Sequence, residues 1–266
     1  MNKWLDEAYA QLKQCRLKWQ ETNMICFTMD TDWASEYVLQ HTVNFFKEHH
    51  ILLTVFCTNK SGFLQKEARA GTIDLQIHPN FIMPSSQGKT EDDVINFCKK
   101  LVPEASVFRA HRWYASNDIY EKLYRRGIRY ESNVCTLFDM VLPYLHRSGM
   151  VAFPVFFEDG AISERGFSLK FNDTKEKYEK KGLKIINFHP MHFALNTPCF
   201  SYTRQIKDRL TREQWNNLDD ADIEKLRFQG DGITNYLKEL VFFAESHSEV
   251  CPFKDIYKLI QVENLS

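Results

Sequence analysis

The sequence predicts an α/β fold in which parallel strands alternate with outer helices. Short apolar or β-rich runs recur along the first 200 residues, and most are separated by segments with apolar residues at helical spacing. Seven such strands in one domain favour a closed or nearly closed (β/α) barrel, although the pattern alone also fits an open sheet. The predicted strands are 24–29, 52–57, 73–77, 106–109, 128–131, 151–157 and 183–188.

The helices between these strands are predicted from apolar spacing and from capping residues. Residues 34–49 carry apolar side chains at helical spacing. Thr90 precedes three acidic residues and Ser116 precedes an amphipathic run, as expected of helix N-caps. Gly127 follows that run at the position expected of a helix C-terminus.

The chain divides into three predicted parts without a linker rich in Gly, Pro or Ser. Residues 1–21 form an amphipathic helix, 22–200 form the barrel, and 201–266 form a helical elaboration of the same domain. The C-terminal helices are predicted at about 211–227, 230–247 and 252–262.

Composition excludes several classes of partner. The chain of 266 residues is 44% hydrophobic and has a net charge of −1, so no electrostatic surface for nucleic acid is expected. No apolar run is long enough for a membrane span, and the charged N-terminus lacks the apolar stretch of a secretion signal. Seven dispersed cysteines indicate reduced thiols, so we expect a cytoplasmic protein.

Two acidic residues end the first predicted strand. Asp30 and Asp32 are two positions apart, so in an extended chain their side chains point to the same side. Two carboxylates there repel each other unless water or a cation lies between them. Either residue could instead be an ordinary helix N-cap.

Ionisable side chains also follow three other predicted strands, at the end of an α/β barrel where chemistry occurs. A single histidine in such a place is usually a surface residue, but the convergence of several on one rim indicates a site. Asp and His together can hold Zn²⁺, which needs about three protein ligands in a catalytic site. These residues are His78 at the end of the third strand, Arg109 and His111 at the end of the fourth, and His189 and His192 at the end of the seventh.

Four segments, "FTMDTDW", "LQIHPNF", "FRAHRWY" and "NFHPMHFALNT", resemble motifs of the polysaccharide deacetylase superfamily. This is the NodB-homology fold, also called carbohydrate esterase family 4. The order of the motifs is most similar to the WbmS-like branch, which is found with genes for bacterial lipopolysaccharide O-antigen synthesis. The resemblance covers roughly residues 22–200 and implies a distorted seven-stranded (β/α) barrel.

The resemblance also implies roles for individual residues. Asp30 corresponds to the catalytic base, and Arg109 to the arginine that orients it. Asp32 and His78 correspond to metal ligands, and His189 to the catalytic acid. The implied cofactor is a divalent metal, with zinc favoured.

The sequence departs from the family pattern at two places. The second histidine ligand is replaced by Ile82, which leaves His111 or Asn80 as the third ligand, with His111 favoured because histidine is the better zinc donor. No segment resembles the family's D-x-x-D-W motif.

The remaining predictions concern the substrate. Backbone N–H groups around Trp113 and Tyr114 are expected to help the metal to stabilise the oxyanion. Rim aromatic residues are expected to stack on sugar rings, including Phe81 and Phe193. The predicted substrate-binding residues are Trp33, Asn80, Trp113, Tyr114 and His192.

Three functions remain open from the sequence. The first is a metal-dependent deacetylase of an N-acetylated sugar or glycan precursor, nucleotide-linked or lipid-linked, in O-antigen or surface polysaccharide synthesis. The second is a hydrolase of a non-sugar amide on the same fold. The third is an inactive barrel that binds glycan or a partner, which the presence of Asp30 and His189 disfavours.

Overall fold

The computed structural model describes residues 3–260, which form a curled ten-stranded sheet with helices around it. The strands lie in the order β6-β7-β5-β4-β3-β2-β1-β9-β8, and β10 pairs with β1. Every pair is parallel except β6 with β7. The strands are β1 Asn23–Asp30, β2 Leu53–Cys57, β3 Ile73–Ile77, β4 Val107–Phe108, β5 Tyr130–Glu131, β6 Tyr144–Leu145, β7 Val151–Ala152, β8 Val155–Glu158, β9 Gly182–Phe188 and β10 Glu249–Val250.

The predicted α/β barrel is confirmed, and each of the seven predicted strands overlaps at least one observed strand. The run 151–157 forms two strands because Pro154 has no N–H to donate to a continuous ladder. Its first part, β7, pairs with β5, and its second part, β8, pairs with β9. This single segment therefore joins the two ends of the curled sheet.

The helices surround the sheet and begin at the predicted caps. The Thr90 side chain accepts a hydrogen bond from Asp93 N, and the Ser116 side chain accepts one from Ile119 N. Gly127 follows its helix with a φ of 87°, which glycine adopts without strain. The helices are α1 Lys3–Glu21, α2 Glu36–Glu48, α3 Gly62–Arg69, α4 Glu91–Leu101, α5 Asn117–Arg125, α6 Asp159–Glu164, α7 Lys175–Glu179, α8 Pro190–Leu195, α9 Phe200–Lys207, α10 Arg212–Asn216, α11 Asp220–Leu226, α12 Ile233–His247 and α13 Phe253–Lys258, with 3-10 helices at His111–Trp113 and Phe171–Asp173.

The C-terminal region is helical except at β10, so the prediction of helices alone after residue 200 is wrong there. A strand of two residues is too short to show a periodicity. The last predicted helix is observed as α13, and its predicted residues 261 and 262 lie outside the described chain, as do the first two residues of the N-terminal helix. The boundaries at residues 21 and 200 stay predictions. Among the described helices, none combines the length and apolar character that a membrane span requires.

Alternation along the strands divides the interior of the barrel into an apolar half and a polar half. On β1, Met24 and Cys26 belong to an apolar cluster that α1 and α13 cover from below. Thr28 and Asp30 follow on the same face and are buried, but both are polar. The sequence of this one strand therefore places polar groups at the carboxyl end of the barrel.

Candidate active site

The carboxyl ends of the strands surround a cavity of about 650 Å³. Five of the six predicted catalytic and metal-binding residues line it directly, which are Asp30, Asp32, His78, His111 and His189. They lie at the ends of four strands. The first and the last of them, Asp30 and His189, are 159 positions apart in the sequence. The parallel sheet brings them together because all its strands end on this side.

Asp30 is buried and held at both carboxylate oxygens. Arg109 Nη1 donates to its Oδ1 at 2.9 Å, and Asn187 Nδ2 donates to its Oδ2 at 2.8 Å. The same Nη1 lies 3.0 Å from Thr28 Oγ1 and 2.6 Å from Asn187 Oδ1. These contacts fix the carboxylate and place a permanent positive charge beside it.

Arg109 is itself fully buried and held from its other side. Its Nε donates to the Ser132 carbonyl and its Nη2 to the Ser132 hydroxyl, each at 2.8 Å. Its guanidinium lies 4.2 Å from the centroid of the Phe56 ring, in the geometry of a cation–π contact. The arginine is therefore a rigid support for Asp30.

Asp32 is the meeting point of two histidines. Its Oδ1 lies 3.2 Å from His78 Nε2 and 3.0 Å from His111 Nδ1. Burial raises the pKa of Asp32, but hydrogen bonds from His111 and His78, with the nearby His189, lower it more, so the pKa lies well below its usual range. Asp32 is therefore ionised at neutral pH.

These three residues fit a divalent transition metal. One carboxylate oxygen and two imidazole nitrogens lie within 4.8 Å of one another, which is a donor set typical of zinc. His78 Nδ1 is buried and has no hydrogen-bond partner among residues 3–260, and it lies 3.9 Å from Asp30 Oδ1. A metal-binding histidine uses one ring nitrogen for the metal, and its other ring nitrogen usually faces a carboxylate, a carbonyl or water. His78, with carboxylates near both ring nitrogens, fits that role.

His111 reaches Asp32 because of an unusual turn after β4. His111 begins the 3-10 helix His111–Trp113, within which Arg112 and Trp113 have φ values of 54° and 61°. Left-handed backbone is uncommon outside glycine and is often found at functional sites. Asn80, the other candidate ligand, accepts a hydrogen bond from Ile82 N through its Oδ1 and does not line the cavity.

His189 approaches these donors from the end of β9 and is paired with Asp159. The distance from His189 Nδ1 to Asp159 Oδ1 is 2.7 Å, and His189 N donates to Asp159 Oδ2 at 2.8 Å. Its Nε2 faces the cavity, 3.7 Å from Asp32 Oδ2. Burial lowers the pKa of His189, but Asp159, Asp32 and Glu158 raise it more, so the pKa lies well above its usual range.

Asp159 and Glu158 were not predicted as site residues. Glu158 is the last residue of β8 and Asp159 follows it, so the signal available in the sequence was an acidic pair at the end of an apolar run, as with the other candidates. Glu158 Oε1 lies 3.4 Å from His189 Nδ1, and burial raises the pKa of Glu158 to about 7.

His192 lines the cavity but is not equivalent to His189. Its Nδ1 lies 3.1 Å from Thr197 Oγ1, and burial lowers its pKa to about 4, so it is neutral. With Asp159 and His189 it forms a second group whose ligand atoms lie within 4.8 Å of one another. In that group the raised pKa of His189 favours a bound proton over a metal.

The structure separates the predicted substrate-binding residues. Trp113 lines the main cavity with His192, and Trp33 lines a second cavity beside it. Tyr114 is exposed and lines neither. Phe81 and Phe193 are buried in the core between the sheet and the helices, so they do not stack on a ligand.

The backbone N–H groups expected to stabilise an oxyanion are already used. Trp113 N donates to the Ala110 carbonyl at 2.9 Å, and Tyr114 N donates to the His111 carbonyl at 3.4 Å. Both bonds belong to the turn that positions His111. These two groups therefore do not face a substrate.

Comparison with known proteins gives matches to a family and to folds. A family model described as WbmS-like polysaccharide deacetylase matches residues 27–207. A Bordetella bronchiseptica structure, assigned as a polysaccharide deacetylase involved in O-antigen biosynthesis, is similar with a TM-score of 0.72 and 24% identity, over 82% of this chain and 89% of that chain. A 4-alpha-glucanotransferase from Thermococcus litoralis gives 0.52 and 11%, over 88% and 38%. No curated protein matches the sequence.

Proposed function

Because this chain belongs to the WbmS-like polysaccharide deacetylase family, as its four motifs predicted, we propose that it is a metal-dependent deacetylase of an N-acetylated sugar. Membership makes it a hydrolase of carbon–nitrogen bonds. Metal dependence, the sugar and the residue roles are our proposals. One observation carries them, which is that an arginine-bound carboxylate, three donors that could hold a metal and an aspartate-paired histidine surround one cavity.

Asp32, His78 and His111 are the residues that would hold the metal. A divalent ion held there would supply Lewis acidity, which would polarise an amide carbonyl and lower the pKa of a bound water. The mixed carboxylate and imidazole set favours zinc over magnesium or calcium, which prefer oxygen ligands.

Asp30 would act as the general base and remove a proton from the attacking water. Arg109 and Asn187 each use one lone pair of its carboxylate, and each oxygen keeps a second lone pair that can accept a proton. The buried guanidinium favours the ionised form of Asp30 before the proton arrives. The same contacts hold the carboxylate in one orientation, which a general base requires.

His189 would act as the general acid and protonate the departing amine. An amide needs this step because an unprotonated amine is a poor leaving group. The Nε2 atom faces the cavity, while Asp159 and Glu158 on the Nδ1 side keep the ring protonated at neutral pH. The base Asp30 and the acid His189 are thus held by different residues, Arg109 and Asn187 for the base and Asp159 for the acid, within one cavity.

The proposed substrate is a precursor of a surface polysaccharide. The Bordetella protein is assigned to O-antigen biosynthesis, which suggests the same class of substrate for this family member. Trp113 lines the cavity and offers an aromatic face to a sugar ring. A nucleotide-linked or lipid-linked sugar would be available on the cytoplasmic side, where such precursors are made, so we propose a cytoplasmic reaction.

The test combines metal analysis with acetate release from N-acetylated sugars. Purified protein should contain about one divalent transition metal per chain, and Asp32→Ala and His78→Ala should each lose it while circular dichroism stays unchanged. Asp30→Asn should keep the metal and lower turnover by ~10²-fold or more. His146→Ala, outside the cavity, is the histidine control. Full metal content in the first two variants, or normal turnover in the third, would overturn the proposal.

A further inference from the structure

A second cavity of about 360 Å³ adjoins the main one. The two cavities share Asp32, Lys207 and Trp215 in their walls. The second cavity, here called the outer cavity, is also lined by Trp33 and by Arg212 at the start of α10. A molecule that reaches Asp32 can therefore extend into the outer cavity without leaving the protein surface.

Trp33 forms the boundary between the metal-binding donors and the outer cavity. Its ring meets the His111 ring edge to face, with centroids 5.1 Å apart and an interplanar angle of 84°. Its backbone has a φ of 59°, next to Asp32 at 42°, and its N–H donates to Thr58 Oγ1 at 3.2 Å. Two consecutive left-handed residues outside glycine are strained, so the surrounding contacts hold this turn in place.

The outer cavity carries two cations against two indole rings. Lys207 Nζ lies 4.6 Å from the centroid of the Trp215 ring, and Arg212 Cζ lies 5.8 Å from that of Trp33. Both are cation–π distances. Within residues 3–260, neither cation forms an ion pair with a carboxylate.

The carboxylates near the outer cavity do not neutralise Lys207 and Arg212. Of the described residues lining the outer cavity, Asp32 alone carries a carboxylate, and its Oδ1 already faces His78 and His111. Glu158 and Glu164 line the main cavity only, which also contains two further arginines, Arg112 and Arg204. The outer cavity is therefore a positively charged extension of the candidate active site.

We infer that the outer cavity binds a phosphate group attached to the sugar that is deacetylated, an inference that rests on the proposed function. In a 2-acetamido sugar the amide and the anomeric oxygen are on neighbouring carbons, so a phosphate ester at the anomeric carbon lies beside the reacting amide. The two adjoining cavities match that arrangement. A lysine and an arginine together suit the multiple charges of a phosphate or diphosphate better than the single charge of a carboxylate.

Nucleoside diphosphate sugars and lipid diphosphate sugars share this chemistry, and calorimetry can distinguish them. UDP and geranyl diphosphate are the two probes, with uridine and glucuronate as the uncharged and the carboxylate comparisons. At least one diphosphate should bind the wild-type protein, and its affinity should fall as salt is raised. The probe that binds more tightly identifies the source of the phosphate.

Variants assign the binding to the outer cavity. Lys207→Gln and Arg212→Gln should each weaken diphosphate binding about tenfold, as expected when a charged hydrogen bond is lost. Arg209→Gln removes the same charge from an exposed residue that lines neither cavity, and it is the matched control. All three positions are exposed, so unfolding of the variants is not expected.

Three results would overturn the inference. The first is that the double variant Lys207→Gln/Arg212→Gln binds both diphosphates as tightly as the wild type. Diphosphates that bound only to a metal would give this result. Glucuronate could bind as tightly as the diphosphates, or uridine as tightly as UDP. In contrast, diphosphate binding that depends on Lys207 and Arg212, without acetate release from any N-acetylated sugar, would contradict the proposed function and leave the anion site standing.

Discussion

Replacement of Arg109 by methionine tests the central support of the candidate base. Methionine keeps a long side chain in the barrel but removes the charge and every donor of the guanidinium. The buried Asp30 would then keep Asn187 as a neutral donor to Oδ2 and lose the charged donor to Oδ1. The buried carbonyl of Ser132 would also lose the donation from Nε.

The expected loss of stability is large because Asp30 and Arg109 are both buried, with side chains 4% and 0% exposed. Removal of one partner from a buried ion pair lowers the free energy of unfolding by about 3–5 kcal/mol. For a chain of this size, that corresponds to a fall in Tm on the order of 10 °C. An exposed ion pair would contribute about 1 kcal/mol or less.

Urea unfolding of four proteins measures this effect: the wild type, Arg109→Met, Asp30→Asn and the double variant. The double variant has no unpaired charge, so it should be less destabilised than the sum of the single variants, with a coupling of about 1–3 kcal/mol. Arg109→Lys keeps the positive charge but loses the pair of hydrogen bonds that the guanidinium donates to Ser132. Its stability therefore separates the effect of the charge from the effect of these hydrogen bonds. A loss below about 1 kcal/mol in Arg109→Met would refute the ion-pair reasoning.

Three further predictions concern the metal, the acid and a buried glutamate. His111→Ala should weaken metal affinity beyond the ~10- to 100-fold typical of an outer-shell partner, measured by competition with a chelating dye; a smaller change would remove His111 from the ligands. Asp159→Asn should lower the pKa of His189, so the alkaline limb of the kcat profile should move to lower pH and turnover should fall ~10²-fold; an unchanged profile would exclude the pairing. Burial raises the pKa of Glu131 from 4.5 to about 7, so its contribution to stability is complete below pH 4.5 and is lost as pH rises through 7. Glu131→Gln should remove this loss, about 3 kcal/mol between pH 4.5 and 8 by urea unfolding; equal pH dependence in both proteins would contradict it.

The long strands of the fold could be predicted because burial on both faces leaves a continuous apolar run. β1 and β9 are such strands, and their predicted and observed bounds agree to within one residue. β6 and β10 contain two residues each, and no periodicity can be read from two residues. The split of 151–157 into β7 and β8 follows from Pro154, but the neighbours with which the two halves pair are decided by the whole sheet.

The candidate site also has a part that the sequence could predict and a part that it could not. Asp30, Asp32 and His78 could be predicted as neighbours because parallel strands end on one side. The approach of His111 to Asp32 depends on left-handed backbone at Arg112 and Trp113, which their residue types do not favour. The hydrogen bonds that Trp113 N and Tyr114 N donate belong to the same turn. The sequence could not show that these bonds would occupy the two groups expected to stabilise an oxyanion.

The segment that joins the two ends of the sheet links the assembly of the barrel to the assembly of the candidate acid. Glu158 pairs with Asn187 in the β8–β9 ladder, and this pairing brings the next residue, Asp159, beside His189. A chain that had folded β1 to β5 but had not closed the ring would have His189 without its carboxylate. The pairing of β8 with β9 also requires the segment between Glu158 and Gly182 to be closed first, which slows its formation. The protonation of His189 is therefore a natural reporter of ring closure during folding.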